Sequence, residues 1–184
     1  IADGDWSSDV CSSDLSSHCP MAEAIALVTR ERVARSIRIA HAALVRLGLQ
    51  RHRIAVAGLN PHAGEAGVLG FEEAREITPA IEDCRKDGID CSGPYPPDTV
   101  FKRMVDGEFD LVVAMYHDQG HIPVKLIAMD RGVNVTLGIP IVRTSVDHGT
   151  AYDIAGTGKA RPDSLLAAIR LAVQLITSKE HIHA

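Results

Sequence analysis

Three of the nine histidines in this 184-residue sequence stand where imidazoles could gather on a metal ion. His62 lies in GLNPHAGE and His117 in AMYHDQG, each just past the expected end of a strand, while His18 lies in SSHCP, just before the first long helix. Neutral imidazoles are good ligands for a divalent transition metal, and three of them leave positions open for substrate oxygens. Glu65 and Asp118 stand near the second and third and could orient their rings. One histidine in such a place is more often structural. Two at successive strand ends bring the structural and metal-binding readings level, and spacing alone goes no further. His41, His52, His181 and His183 read as solvated, on helix faces or at the terminus.

The elements that must position these residues alternate in type. Helical spacing of apolar residues runs over 21–49, with Val33, Ile37, Ala40, Leu44 and Leu47 on one stripe and Gly48 as a stop signal. Residues 53–59 (RIAVAGL) read as a buried strand entering a loop at Asn60-Pro61. A glycine-rich loop follows, then helices over 71–86 and 98–105, and a buried strand over 111–116 (LVVAMY). Two further strands are expected over 133–137 and 141–145. A last helix over 162–178 carries Leu166, Ile169, Val173 and Ile176 on one face. This alternation predicts a mostly parallel sheet covered on both faces. Loops at the carboxyl ends of such strands are where open α/β sheets place their ligands.

Composition narrows the classes. A formal net charge of -5 argues against a nucleic-acid partner, and no apolar run is long enough to span a membrane. Cys11, Cys19, Cys84 and Cys91 show no CxxC spacing and read as free cytosolic thiols. The chain begins without methionine and reads as a fragment or processed product. Its first fifteen residues, IADGDWSSDVCSSDL, repeat SSD and lack the basic start and apolar middle of a signal peptide. Residues 1–16 are therefore expected to be disordered and foreign to the rest.

The segments GLNPHAGEAG, PPDTVFKRM, AMYHDQGHIPVK and GVNVTLGIPIVRTSVDHGTAYDIAG, with the leading SHCPM, resemble 4-hydroxythreonine-4-phosphate dehydrogenases over about 17–177. The resemblance implies an α/β fold of the isocitrate/isopropylmalate dehydrogenase-like α/β/α architecture. It would be incomplete here, with 17–184 as the C-terminal portion of a two-domain subunit. It implies a divalent metal, commonly zinc but with magnesium, manganese or cobalt open, on His18, His62 and His117. Lys125, Asn134 and Arg143 match positions that contact a phosphorylated substrate, where lysine offers a point charge and arginine a planar fork. Asp98 and Asp118 match acidic positions near the metal, suited to orientation or proton relay, and Lys125 is a further relay candidate.

DHGTAYDIAG also resembles the adenine-binding loop of isocitrate and isopropylmalate dehydrogenases. That places His148 against adenine and Asp153 on the ribose hydroxyls, with Gly149 and Ile154 in the same loop, and prefers NAD over NADP. The family's pyridoxine-pathway members read LPVLK after HDQG, whereas this chain reads HIPVK, with His121 as the marked difference. The HIPVK form resembles a sister branch that oxidises and decarboxylates 4-phospho-D-threonate or 4-phospho-D-erythronate to dihydroxyacetone phosphate and CO2. The alternatives are 4-hydroxythreonine-4-phosphate oxidation for pyridoxal phosphate synthesis, a metal-dependent hydrolase, and an inactive fragment that keeps only metal binding or dimerisation. The resemblance further implies a cytoplasmic homodimer acting on a small phosphorylated hydroxy acid.

Overall fold

The runs IAVA and LVVA, buried to the last side chain, form the paired centre of a parallel sheet. A computed structural model describes residues 12–15, 18–128, 131–147 and 149–177, with 12–14 described by their backbone. Strand β1 is Ser12–Asp14, β2 Ile54–Ala57, β3 Cys91–Tyr95 and β4 Leu111–Ala114, in the order β1-β4-β2-β3 with every pair parallel. Successive strand residues point to opposite faces, and this alternation builds two cores. Ile54, Val56, Leu111 and Val113 meet Val33, Ile37 and Leu44 of helix α2 (Arg30–Arg46), Ile81 and Cys84 of α3 (Thr78–Lys86), and Ile77 just ahead of α3. Ala55, Ala57, Val112 and Ala114 meet Val100, Phe101 and Met104 of α4 (Val100–Val105). The parallel sheet covered on both faces is as the alternation of elements requires.

Several expectations need correction. The helix over 21–49 is two helices, α1 (Met21–Leu27) and α2, because extended Thr29 caps the second by accepting from the Arg32 amide at 3.4 Å. Strand β3 was not expected, since its CSGPY carries glycine and proline, both poor strand formers. Helix α5 (His117–Ala128) was not expected either and holds Pro123 within it. Ser12–Asp14 pair with β4, and buried Leu15 donates its amide to the Ala114 carbonyl at 2.9 Å, so disorder does not extend over 12–15. His41 and His52 are half-buried rather than solvated, with rings in edge-to-face contact at 5.5 Å. His181 and His183 lie outside the described residues.

The remaining strands, β5 (Val133–Thr136) and β6 (Arg143–Val146), pair with each other antiparallel and form a separate two-stranded sheet. Helix α6 (Asp163–Thr177) packs on it and buries Ala167, Ala168, Leu171 and Leu175, with its carboxyl end against α2, where Arg46 donates to the Leu175 carbonyl at 3.3 Å. The Ser164 hydroxyl donates to the Gly132 carbonyl at 2.8 Å, and the Thr144 hydroxyl donates to the Ala168 carbonyl at 2.9 Å. The stripe expected to pack, Leu166, Ile169, Val173 and Ile176, faces outward instead and is 46–57% exposed. Both faces of this helix are apolar, so periodicity could not tell which one the chain buries. Among the described residues no helix is long and apolar enough to cross a membrane. Cys19, Cys84 and Cys91 are free, and burial pushes the Cys91 thiol up to about 11; Cys11 lies outside the described residues.

Two polar clamps fix the central strands. At their amino ends Asp110 accepts from the Arg53 amide at 2.8 Å and pairs with its guanidinium at 2.9 Å. At their carboxyl ends the buried Gln119 accepts from the Met115 amide at 2.7 Å and donates to the Gly58 carbonyl at 2.9 Å. Burial alone would raise the Asp110 carboxyl, but its hydrogen bonds from Arg53 outweigh that and hold it below the ordinary carboxylate range. A depressed folded-state value stabilises above the unfolded value of about 3.9 and is lost as pH falls through the folded one. Asp110→Asn should therefore unfold at lower urea than wild type near neutrality, with the gap closing as pH is lowered below the unfolded value of about 3.9. A gap independent of pH would contradict this. Gln119→Leu, which strips the buried Gly58 carbonyl of its donor, should cost about 1–3 kcal/mol in chemical denaturation; an unchanged midpoint would contradict it.

Candidate metal and substrate site

The carboxyl ends of β1 and β4 bring two of the three expected histidines together. His117 opens α5 directly after β4, and His18 sits in a bend after β1 with a left-handed φ of 52°. Their ring centroids are 5.1 Å apart. The Asp118 carboxylate lies 2.8 Å from Nδ1 of His117. An acceptor there makes Nδ1 the protonated nitrogen and leaves Nε2 with the lone pair a metal requires. His121, one turn along α5, stacks on His117 at 4.1 Å and 15°, and its own Nδ1 is 3.9 Å from an Asp147 oxygen. His18, Cys19, Tyr116, His117 and Asp118 line an open depression of about 300 Å³.

His62 is not in that depression. It lies exposed on the turn Pro61–Gly67, and among the described residues no three of His, Cys, Asp or Glu come close enough to hold one ion. The turn itself is unusual. His62, Ala63, Glu65 and Ala66 all have φ between 44° and 56°, with Gly64 at 77° between them. Left-handed backbone costs roughly 1–2 kcal/mol for each residue with a side chain, so other contacts must hold it. The buried Glu73 carboxylate, at the start of the π-helical turn Glu73–Ile77 that leads into α3, accepts from the Leu59 amide at 2.8 Å and the Asn60 amide at 2.7 Å. It also accepts from the Asn60 side chain at 3.0 Å. Glu72 takes a second hydrogen bond from that side chain at 2.7 Å. Its own backbone amide and Asn60 hold the Glu72 carboxyl below its ordinary range. A Cβ on Gly64 would lie 2.6 Å from a Glu73 oxygen, so glycine is required there by both φ and space.

The other expected site residues that the structure describes do not line this depression. Lys125 is exposed on α5, and Asp98 is exposed just before α4. Asn134 is exposed on β5, and Arg143, exposed on β6, donates to the Thr136 hydroxyl at 2.7 Å. Gly149 and Asp153 are exposed and Ile154 half-buried, the last two in the short turn Tyr152–Ile154 that follows a left-handed Ala151. His148 lies outside the described residues. Sequence reasoning passed over Glu73 and Gln119, which organise the two histidine-bearing strand ends. An acid in an expected helix and a glutamine after HD look like solvated polar residues until the fold buries them.

Residues 7–172 match the family described as pyridoxal phosphate biosynthetic protein PdxA. The D-threonate 4-phosphate dehydrogenase of Salmonella typhimurium is 53% identical over 161 residues, covering 88% of this chain and 49% of that protein. The 4-hydroxythreonine-4-phosphate dehydrogenase of Geobacter metallireducens is 55% identical over 162 residues, covering 88% and 48%. The crystal structure of 4-hydroxythreonine-4-phosphate dehydrogenase from Klebsiella pneumoniae superposes with a TM-score of 0.80 at 48% identity, covering 89% of this chain and 50% of that one. The chain thus spans about half the length of the curated relatives it matches. A sequence match over nearly its whole length, together with the shared fold, places this chain in the PdxA family.

Proposed function

We propose that this chain carries the metal-binding part of an NAD-dependent dehydrogenase that oxidises and decarboxylates a 4-phosphorylated 3-hydroxy acid. The observation that carries the reading is the convergence of His18 and His117, with Asp118 fixing the tautomer of His117. The donor chemistry fits zinc or a similar divalent ion, for which imidazole is a preferred ligand. Two of the three histidines are in place within one chain. The third, His62, is exposed on its turn, and we propose that it completes the set in a homodimer. When bound, the ion supplies Lewis acidity to the oxygen of the substrate's reacting carbon.

The chain's own residues do the rest. Asp118 orients the His117 imidazole. Arg143 and Lys125 present positive charge to the substrate phosphate and Asn134 an amide, while Asp98 stands by as a relay. NAD, when bound, would take hydride from the reacting carbon, and the hydroxyl proton would pass to a carboxylate such as Asp98, since Lys125 as an exposed cation holds the phosphate and has no free lone pair. The resulting 3-keto acid loses CO2, and the electron pair left behind takes a proton. Asp153 would accept from the ribose hydroxyls of NAD, within the loop that also carries His148, Gly149 and Ile154.

We favour 4-phospho-D-threonate or 4-phospho-D-erythronate as substrate, with dihydroxyacetone phosphate as product, because the residue that departs from the pyridoxine-type motif, His121, stacks directly on His117. The 55% identity to the Geobacter enzyme supports 4-hydroxythreonine-4-phosphate as the second reading. Turnover of the two substrates, followed as NADH formation, separates them: a higher kcat/KM on 4-hydroxythreonine-4-phosphate would overturn the preference. His117→Ala should lower turnover on the order of 10²–10³-fold, the equivalent of several kcal/mol of lost charge stabilisation, while thermal unfolding stays near wild type. Turnover that survives both this substitution and chelation would contradict the metal reading. Zinc binding without turnover would leave the inactive-fragment reading standing.

A further inference from the structure

Nothing in the proposed chemistry employs Glu73, yet among the described residues it is the acid most completely enclosed, at 5% exposure. Its carboxylate sits on a rigid platform. The π-helical turn that bears it runs straight into α3, whose Ala80, Ile81 and Cys84 are locked in the main core, and Arg30 of α2 ties that platform down through Asp83 at 2.7 Å and 2.8 Å. From there Glu73 gathers three donors, the Leu59 and Asn60 amides and the Asn60 side chain, in the residues just ahead of His62. The turn leaves no spare room around it: a Cβ on Gly58 would lie 2.8 Å from the Ala63 Cα, and one on Gly64 2.6 Å from the carboxylate. A left-handed run through His62, Ala63, Glu65 and Ala66 opposes the conformational preference of every one of those residues. Such a run persists only where its neighbours over-determine it.

We infer that Glu73 is a positioning residue, which holds the left-handed turn through the Leu59 and Asn60 amides and thereby presents His62 to the metal site. This rests on the proposed role of His62 as a ligand. Loss of the carboxylate leaves two amides without their acceptor and frees the turn to relax toward ordinary right-handed or extended backbone, which swings the imidazole away. Residues that orient a ligand are worth roughly 10–100-fold in metal affinity when removed.

The test uses the full chain with zinc alone as probe, in competition with a chromophoric chelator, alongside amide hydrogen exchange over residues 58–67. Glu73→Ala should lose exchange protection across that turn and bind zinc roughly 10–100-fold more weakly. Glu73→Gln, whose side-chain oxygen still accepts from both amides, should recover most of both properties. In the background of His62→Ala, Glu73→Ala should weaken zinc binding no further, because the two act through one ligand. The inference is overturned if Glu73→Ala leaves protection and affinity unchanged, or if it weakens zinc binding equally with and without His62. Should Glu73→Ala fail to fold, Glu73→Asp takes its place; an aspartate variant matching wild type in both readouts overturns the inference. If His62→Ala alone leaves zinc binding intact, it is the ligand role that fails, and the exchange data still decide whether Glu73 holds the turn.

Discussion

Everything around the candidate site depends on how the buried carboxyl ends of β2 and β4 satisfy their backbone. Both strands are sealed from water, and each stops abruptly at a functional loop, so the polar groups just beyond them must find partners inside the protein. Gln119 serves the Gly58 carbonyl and the Met115 amide at once and so sets the spacing between the two loops. Glu73 serves the next two amides of the β2 loop. The histidines stand just outside this buried polar framework, and their placement follows from it. A buried hydrogen-bond network that is fully satisfied specifies one arrangement; a partly satisfied one would be costly.

How much of this was legible in the sequence varied with the kind of signal. Continuous apolar runs located β2 and β4 because a strand buried on both faces has no polar alternation to hide it. The histidines at their ends were visible for the same reason. Strand β3 was missed because Gly93 and Pro94 break every local strand signal, although parallel pairing with β2 overrides them. Helix α6 was found but turned over. Ala167 and Ala168, with Leu171 and Leu175, are buried, while Leu166, Ile169 and Val173 on the equally apolar opposite face point outward. Glu73 and Gln119 could not be read in advance, since a polar side chain carries no mark of burial until tertiary contacts enclose it.

The outward face of α6 continues an uneven distribution of apolar surface. Leu126 of α5 is 82% exposed, and Ile122 and Ile127 beside it are also open. The residues expected to meet substrate and dinucleotide, Lys125, Asn134, Arg143 and Asp153, are exposed as well and stand clear of the histidine depression. The residues expected at the site therefore lie on an open surface rather than in an enclosed pocket.

The proposed metal site requires histidines of this chain to gather on one divalent ion. X-ray absorption spectroscopy of the zinc-loaded protein tests it most directly, because it counts the scattering of imidazole rings around the ion. The account predicts imidazole nitrogens at about 2.0–2.1 Å, with one ring's contribution lost in His117→Ala. A zinc shell made of water and carboxylate oxygens alone, or a protein that takes up no stoichiometric zinc, would contradict it.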